Sequence, residues 1–104
     1  MQKVQLTIGH KVGSVEVFDT PAICHEVTTT LGVDAFTAIP CVGMWKGQAE
    51  MSTRVEMVFS DDSQAEYVLS LVPTLAHNLN QEAIMVEHYD AAVTFPSAIV
   101  PAVA

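Results

Sequence analysis

The spacing of apolar residues switches along this chain between two and roughly three and a half, and that switching limits the fold more than any other feature. Val4, Leu6 and Ile8 alternate with Lys3, Gln5 and Thr7. A period of two puts one set of side chains on one face, which is the pattern of a half-buried strand. Ala65, Val68, Leu69, Val72, Leu75, Ala76 and Leu79 recur instead at steps of three and four. That is the stripe of an amphipathic helix.

The remaining elements follow from the same reading. Gly9 ends the first strand, and a loop over 9–19 carries His10, Lys11 and Gly13. Asp19-Thr20-Pro21 reads as a helix start, with an oxygen-bearing cap followed by proline in the first turn. Ile23, Val27 and Leu31 give that helix one apolar face, and Gly32 stops it. The stretch 33–45 has no helical period and reads as a second strand. Pro40 suits an edge position, because it cannot donate to a ladder. A glycine-bracketed connection spans 43–50. Thr53, Val55, Met57 and Phe59 form a third strand, and Ser60-Asp61-Asp62 caps the second helix. Pro73 either kinks that helix or divides it into two. A fourth strand spans 83–89.

Two helices and four strands in this order predict an α+β fold, the ferredoxin-like βαββαβ plait. Its four-stranded antiparallel sheet carries both helices on one face. Residues 1–90 are expected to form one domain, since 104 residues are too few for two independent cores. Residues 91–104 hold Val93, Phe95, Ile99, Val100 and Val103 with Pro96 and Pro101, and no charged side chain. This predicts an extended apolar tail that serves as an assembly arm or an extra strand. With only 15% charged residues, against about 25% in an ordinary domain, the tail predicts a homo-oligomer, most simply a dimer.

Charge narrows the partners. Twelve acids and four bases give a net charge of -8. Lys3, Lys11, Lys46 and Arg54 are too few for a phosphate-binding patch, so nucleic acid is not expected. The scattered acids read as charge that keeps an apolar chain in solution. No uninterrupted apolar run is long enough to cross a membrane, and the alternating N-terminus is unlike a signal peptide. The expected location is cytoplasmic, with Cys24 and Cys41 as thiols and small core residues.

The plait topology brings three loops to one end of the sheet. His10 and Lys11 meet there with Trp45, Lys46 and Glu50, and with His77, Asn78 and Gln81. His10 is a residue type suited to proton transfer, and Glu50 can orient it or accept a proton. Trp45 offers a face for stacking, and Lys11 or Lys46 can meet an anion. Each also has a structural reading: a solvated loop histidine, a packing tryptophan, surface charges, and a Glu50 paired with Arg54 or a lysine. The candidate ligand-binding set is therefore His10, Lys11, Trp45, Lys46, Glu50 and His77, with His10 and Glu50 as the candidate acid-base pair.

No metal-ligand spacing occurs among the cysteines and histidines, so no metal is expected. There is no nucleophile elbow and no glycine-rich phosphate loop, so no cofactor is expected either.

The pattern Gly43-x-Trp45-x-Gly47-x-x-Glu50-x-Ser52, with Thr7-Ile8-Gly9 at the end of the first strand, resembles small plait proteins of bacteria and their phages. It is also similar to a bacterial domain of unknown function with a Gly-x-Trp pattern. The resemblance implies a plait and no particular activity. Nitrogen-regulator signalling trimers and copper-tolerance trimers share the plait, but this chain lacks the nucleotide loop of the first and the metal spacing of the second.

The reading carried forward is a non-enzymatic module that binds a protein partner or a small molecule. The alternatives are a small plait-type enzyme using His10 and Glu50, and an acidic phage-type inhibitor of a basic host protein.

Overall fold

The computed structural model describes residues 1–96. It is an α+β arrangement with two helices and a four-stranded antiparallel sheet, compatible with a plait. The elements are β1 (Gln2–Gly9), β2 (Lys11–Val12), β3 (Val15–Glu16), α1 (Thr20–Leu31), β4 (Thr37–Trp45), β5 (Gln48–Phe59), α2 (Asp62–Asn78) and β6 (Met85–Asp90). The main sheet runs in the order β4-β5-β1-β6.

The alternation in β1 places Val4, Leu6 and Ile8 under the helices, all fully buried. Their register partners on β5 are Met57, Val55 and Thr53. Ile23, Val27 and Leu31 of α1 close over them, with Ala65, Val68, Val72 and Leu75 of α2 and with Leu79 just beyond it. Burying a single Leu or Ile side chain stabilises by about 1.5–3 kcal/mol, and this one layer holds most of them. The opposite sheet face carries Gln5 beside Glu56 and Glu87, and Thr7 beside Arg54 and Met85. That face is a mixed polar and apolar surface.

Both helix starts form as the sequence predicts. Asp19 accepts a hydrogen bond from the Ala22 N–H at 2.9 Å, and Asp61 accepts one from Gln64 at 2.9 Å. Gly32 closes α1 in the left-handed region at φ 68°. Of the two readings of Pro73, the division into two helices is excluded: α2 is one element with Pro73 inside it. The ring removes one backbone bond, to the Leu69 carbonyl, and lies on the exposed face. Packing by Val68, Val72 and Leu75 on the other face holds the helix across the gap.

Several expectations are corrected. The loop over 9–19 contains a short hairpin, β2–β3, in which Lys11 pairs with Glu16. The second strand starts at Thr37, not at 33, because Val33 and Phe36 turn inward to pack on the core. There is no long connection over 43–50. β4 runs on to Trp45, Lys46 and Gly47 make the turn, and β5 resumes at Gln48. Lys46 and Gly47 both have positive φ, 50° and 76°, as a tight primed turn requires. Pro40 does lie on an edge strand. Cys24 and Cys41 are only half-buried thiols, not core residues, since each sits at the margin of the buried face.

Of the tail expected over 91–104, residues 91–96 have no regular structure and Phe95 is exposed. Ala91 and Met1 exchange backbone hydrogen bonds at 2.8 and 3.2 Å. The remainder of the expected arm, 97–104, lies outside the described residues. No helix among the described residues is long and apolar enough to cross a membrane.

Candidate functional site

β1 ends at Gly9, opposite Ser52, but the β4–β5 hairpin runs on to its turn at Lys46 and Gly47. The overhang leaves the near edge of β5 without a strand partner. A cavity of about 610 Å³ opens there. Its walls are the overhanging hairpin, the start of the β2–β3 hairpin, and the segment that follows α2.

The turn geometry sets which side chains face it. Glu50 pairs with Gly43, and Trp45 pairs with Gln48. Gly43, Trp45, Gln48, Glu50 and Ser52 therefore share one face of the hairpin and line the cavity. Two glycines make room for them. A Cβ at Gly9 would lie 2.8 Å from Glu50 Oε1, and one at Gly43 would lie 2.9 Å from Ser52 Oγ. Glu50 is half-buried, and it has no ion-pair partner among the described residues. Arg54, one of the partners considered for it beside a lysine, goes to Glu56 instead, at 3.3 Å.

The third wall is fixed by how α2 ends. Asn80 takes the left-handed conformation at φ 51°, and the Gln81 N–H bonds back to the Ala76 carbonyl at 2.9 Å. This pair of turns satisfies the last helical carbonyls. It also aims Gln81 at the cavity, where its Nε2 donates to the Lys11 carbonyl at 2.9 Å. One amide thus ties the exit of α2 to β2.

At the mouth, Lys46 Nζ donates to Glu82 Oε2 at 3.1 Å and lies 5.8 Å from the Trp45 ring centre. The Glu82 carboxyl is held below its usual range, first by the Lys46 hydrogen bond and charge, then by the Trp45 indole. Both members of this pair are exposed, so it orders the rim and adds little stability.

The structure brings Lys11, Trp45, Lys46 and Glu50 of the candidate set to one cavity. It does not bring His10 or His77 there. His77 is exposed beyond this lining. His10, read from sequence as a loop histidine, is only 5% exposed. Its Nε2 lies 2.7 Å from Thr53 Oγ1, and its Nδ1 lies 3.7 Å from Glu16. No hydrogen bond joins His10 to Glu50 among the described residues, so the two do not form a contacting pair. Met44, Gln48, Ser52, Glu82 and Met85 line the cavity without having been singled out. Reading Lys46-Gly47 as a two-residue turn would have found Gln48 and Ser52, because register follows from turn length. Among the described residues no three metal-binding side chains cluster.

No protein-family model matches the chain, and no curated protein matches it in sequence. Solved structures do match in fold. A phage SAM lyase in its apo state superposes with a TM-score of 0.65 at 20% identity, covering 85% of this chain and 78% of that one. A phage SAM lyase in complex with S-methyl-5'-thioadenosine superposes with a TM-score of 0.61 at 18% identity, covering 86% and 80%. The expected likeness to small phage proteins is met in fold, while no sequence family attaches to the Gly43-x-Trp45 pattern. The reading as a non-enzymatic module is corrected here. Solved structures that share this fold over most of the chain include those of an enzyme.

Proposed function

We propose that this chain is a small lyase that cleaves S-adenosylmethionine (SAM) and releases S-methyl-5'-thioadenosine. The fold likeness to the phage SAM lyase carries this reading, because it extends over more than four-fifths of the chain. In finer detail, we read the main sheet and helices as a ferredoxin-like βαββαβ plait with the β2–β3 hairpin inserted after β1. The expected homo-oligomer belongs to the same proposal.

The chemistry suits the cavity. S-methyl-5'-thioadenosine is SAM without its four-carbon amino-acid fragment, so the bond that breaks joins sulfur to that fragment. The electron pair stays on sulfur, which leaves as a neutral thioether. No general acid is needed at the leaving atom. The fragment is completed either by its own carboxylate closing on the carbon that sulfur leaves, or by transfer of a proton from the adjacent carbon to a base such as the Glu50 carboxylate, the C–H pair forming the new double bond. Either course needs a bound conformer and an environment that tolerates the sulfonium. Glu50, half-buried and lacking a cationic partner, supplies a negative charge for that sulfonium. Trp45, 47% exposed at the mouth, offers a ring for the adenine to stack on. A net charge of -8 draws in a substrate with one net positive charge.

The test is direct. Purified protein incubated with SAM should release S-methyl-5'-thioadenosine, read by liquid chromatography, and Glu50→Gln should lower the rate by at least tenfold. SAM that stays intact at the rate of a protein-free blank would overturn the reading.

A further inference from the structure

We infer that Lys11 and Glu16 form a subsite for the α-amino-acid end of the substrate, distinct from the place where its nucleoside end binds. The inference rests on the proposed SAM cleavage and adds to it which residues read the charged end of that substrate.

The observation is an imbalance of pairing. The chain has four lysines and arginines and twelve acids. Lys3, Lys46 and Arg54 each hold a carboxylate, from Glu56, Glu82 and Glu56 respectively. Lys11 holds none among the described residues, although it is half-buried in a strongly acidic chain. A lysine ammonium gains from a charge-assisted partner, and among the described residues no carboxylate is paired with this one.

Its position gives the missing partner a shape. Lys11 and Glu50 line the large cavity, and both also line a shallower hollow of about 260 Å³ beside Glu16, Val42, Ala49 and Met51. The two hollows share Lys11 and Glu50 at the edge of β5 that β1 leaves unpaired, with Val42, Ala49 and Met51 on the hairpin face opposite the Glu50 side chain. Lys11 and Glu16 are register partners across the β2–β3 hairpin, which presents one positive and one negative side chain together. They make no ion pair with one another. An α-amino acid group carries the complementary charges, a carboxylate for Lys11 and an ammonium for Glu16. Glu50 at the junction then faces the sulfonium, which lies between the two ends of such a substrate. Gln81 donates to the Lys11 carbonyl and anchors that backbone, while the Glu16 carboxylate lies 3.7 Å from His10 Nδ1.

S-methyl-5'-thioadenosine lacks the amino-acid end, which makes the inference testable with two known compounds. The KM for SAM and the inhibition constant for S-methyl-5'-thioadenosine are measured for the wild type, Lys11→Gln, Lys11→Arg and Glu16→Gln. Lys11→Gln and Glu16→Gln should each raise the KM for SAM about tenfold, the worth of one charge-assisted contact. Both should leave the inhibition constant within twofold, and Lys11→Arg should recover most of the loss in KM. If both constants move together, or neither moves, the subsite is overturned while SAM cleavage stands. If the wild type neither cleaves SAM nor binds the thioadenosine, the subsite falls together with the proposed function.

Discussion

His10 and Thr53 meet through a hydrogen bond of 2.7 Å that is sealed from solvent, with His10 5% exposed and Thr53 fully buried. The same threonine oxygen lies 2.8 Å from Thr20 Oγ1. One hydroxyl therefore joins the end of β1, the middle of β5 and the first residue of α1. Thr53→Val keeps the shape and removes the oxygen, leaving an imidazole nitrogen buried without a partner. It should lower stability by about 1–3 kcal/mol in urea unfolding. An unchanged midpoint would show that the bond contributes nothing.

The core predicts a sharper loss. Leu75 is fully buried between the helices and the sheet, whereas Tyr67 on the same helix is exposed. Leu75→Ala should destabilise by about 2–5 kcal/mol. Tyr67→Ala should stay within about 0.5 kcal/mol of wild type. Similar losses for both would contradict the burial pattern of α2.

Gly9 separates fold from the proposed activity. Its backbone lies in the extended region, so alanine is tolerated there, but the new methyl would press on Glu50 Oε1. The carboxylate is the far end of a flexible side chain and gives way cheaply. Gly9→Ala should leave the unfolding midpoint nearly unchanged and lower SAM cleavage by about tenfold through the displaced Glu50. Full activity in this variant would mean that the position of Glu50 does not matter.

Trp45 is the chain's single tryptophan, so its emission reports on the cavity mouth alone. Added S-methyl-5'-thioadenosine should change that emission and saturate. The change should vanish at matched concentrations of ribose, which has no ring to stack. A linear response with no plateau would count against adenine stacking on Trp45.

Acid should loosen α2 at its start. Asp61 has its pKa lowered from the ordinary 3.8, chiefly by the Gln64 backbone N–H and next by the Ser63 hydroxyl. A carboxyl depressed in the folded state adds stability that is present above its unfolded pKa. That contribution is lost as pH falls through the folded value. Asp61→Asn keeps a capping oxygen but does not titrate. Its thermal midpoint should fall less steeply than that of wild type between about pH 4 and pH 2. Parallel acid limbs for the two proteins would assign the acid sensitivity elsewhere.

Much of this architecture was legible in residue order. The alternation of Val4, Leu6 and Ile8 named the buried face of β1, and the spacing of Ala65, Val68, Val72 and Leu75 named that of α2. Asp19, Asp61 and Gly32 marked helix ends because capping is a local matter of a few bonds. The site was legible in part. Topology alone gathers Lys11, Trp45, Lys46 and Glu50 at one end of the sheet, and the structure lines one cavity with all four. The burial of His10 is not visible in sequence, because nothing local distinguishes a loop histidine in solvent from one turned onto Thr53, which lies 43 positions away.

Residue order alone settles what depends on neighbours along the chain: period, caps and the breaks between elements. Tertiary structure decided what depends on distant partners. The two-residue turn at Lys46-Gly47 set the register of a hairpin that outruns β1, and that overhang created the cavity. Long-range packing also chose which charges found partners. Arg54 was given to Glu56, while Lys11 and Glu50 face the cavity without partners among the described residues. Local propensity acts over one turn or one strand, whereas the pairing of charges and the shape of a cavity are fixed only when the whole sheet closes against its helices.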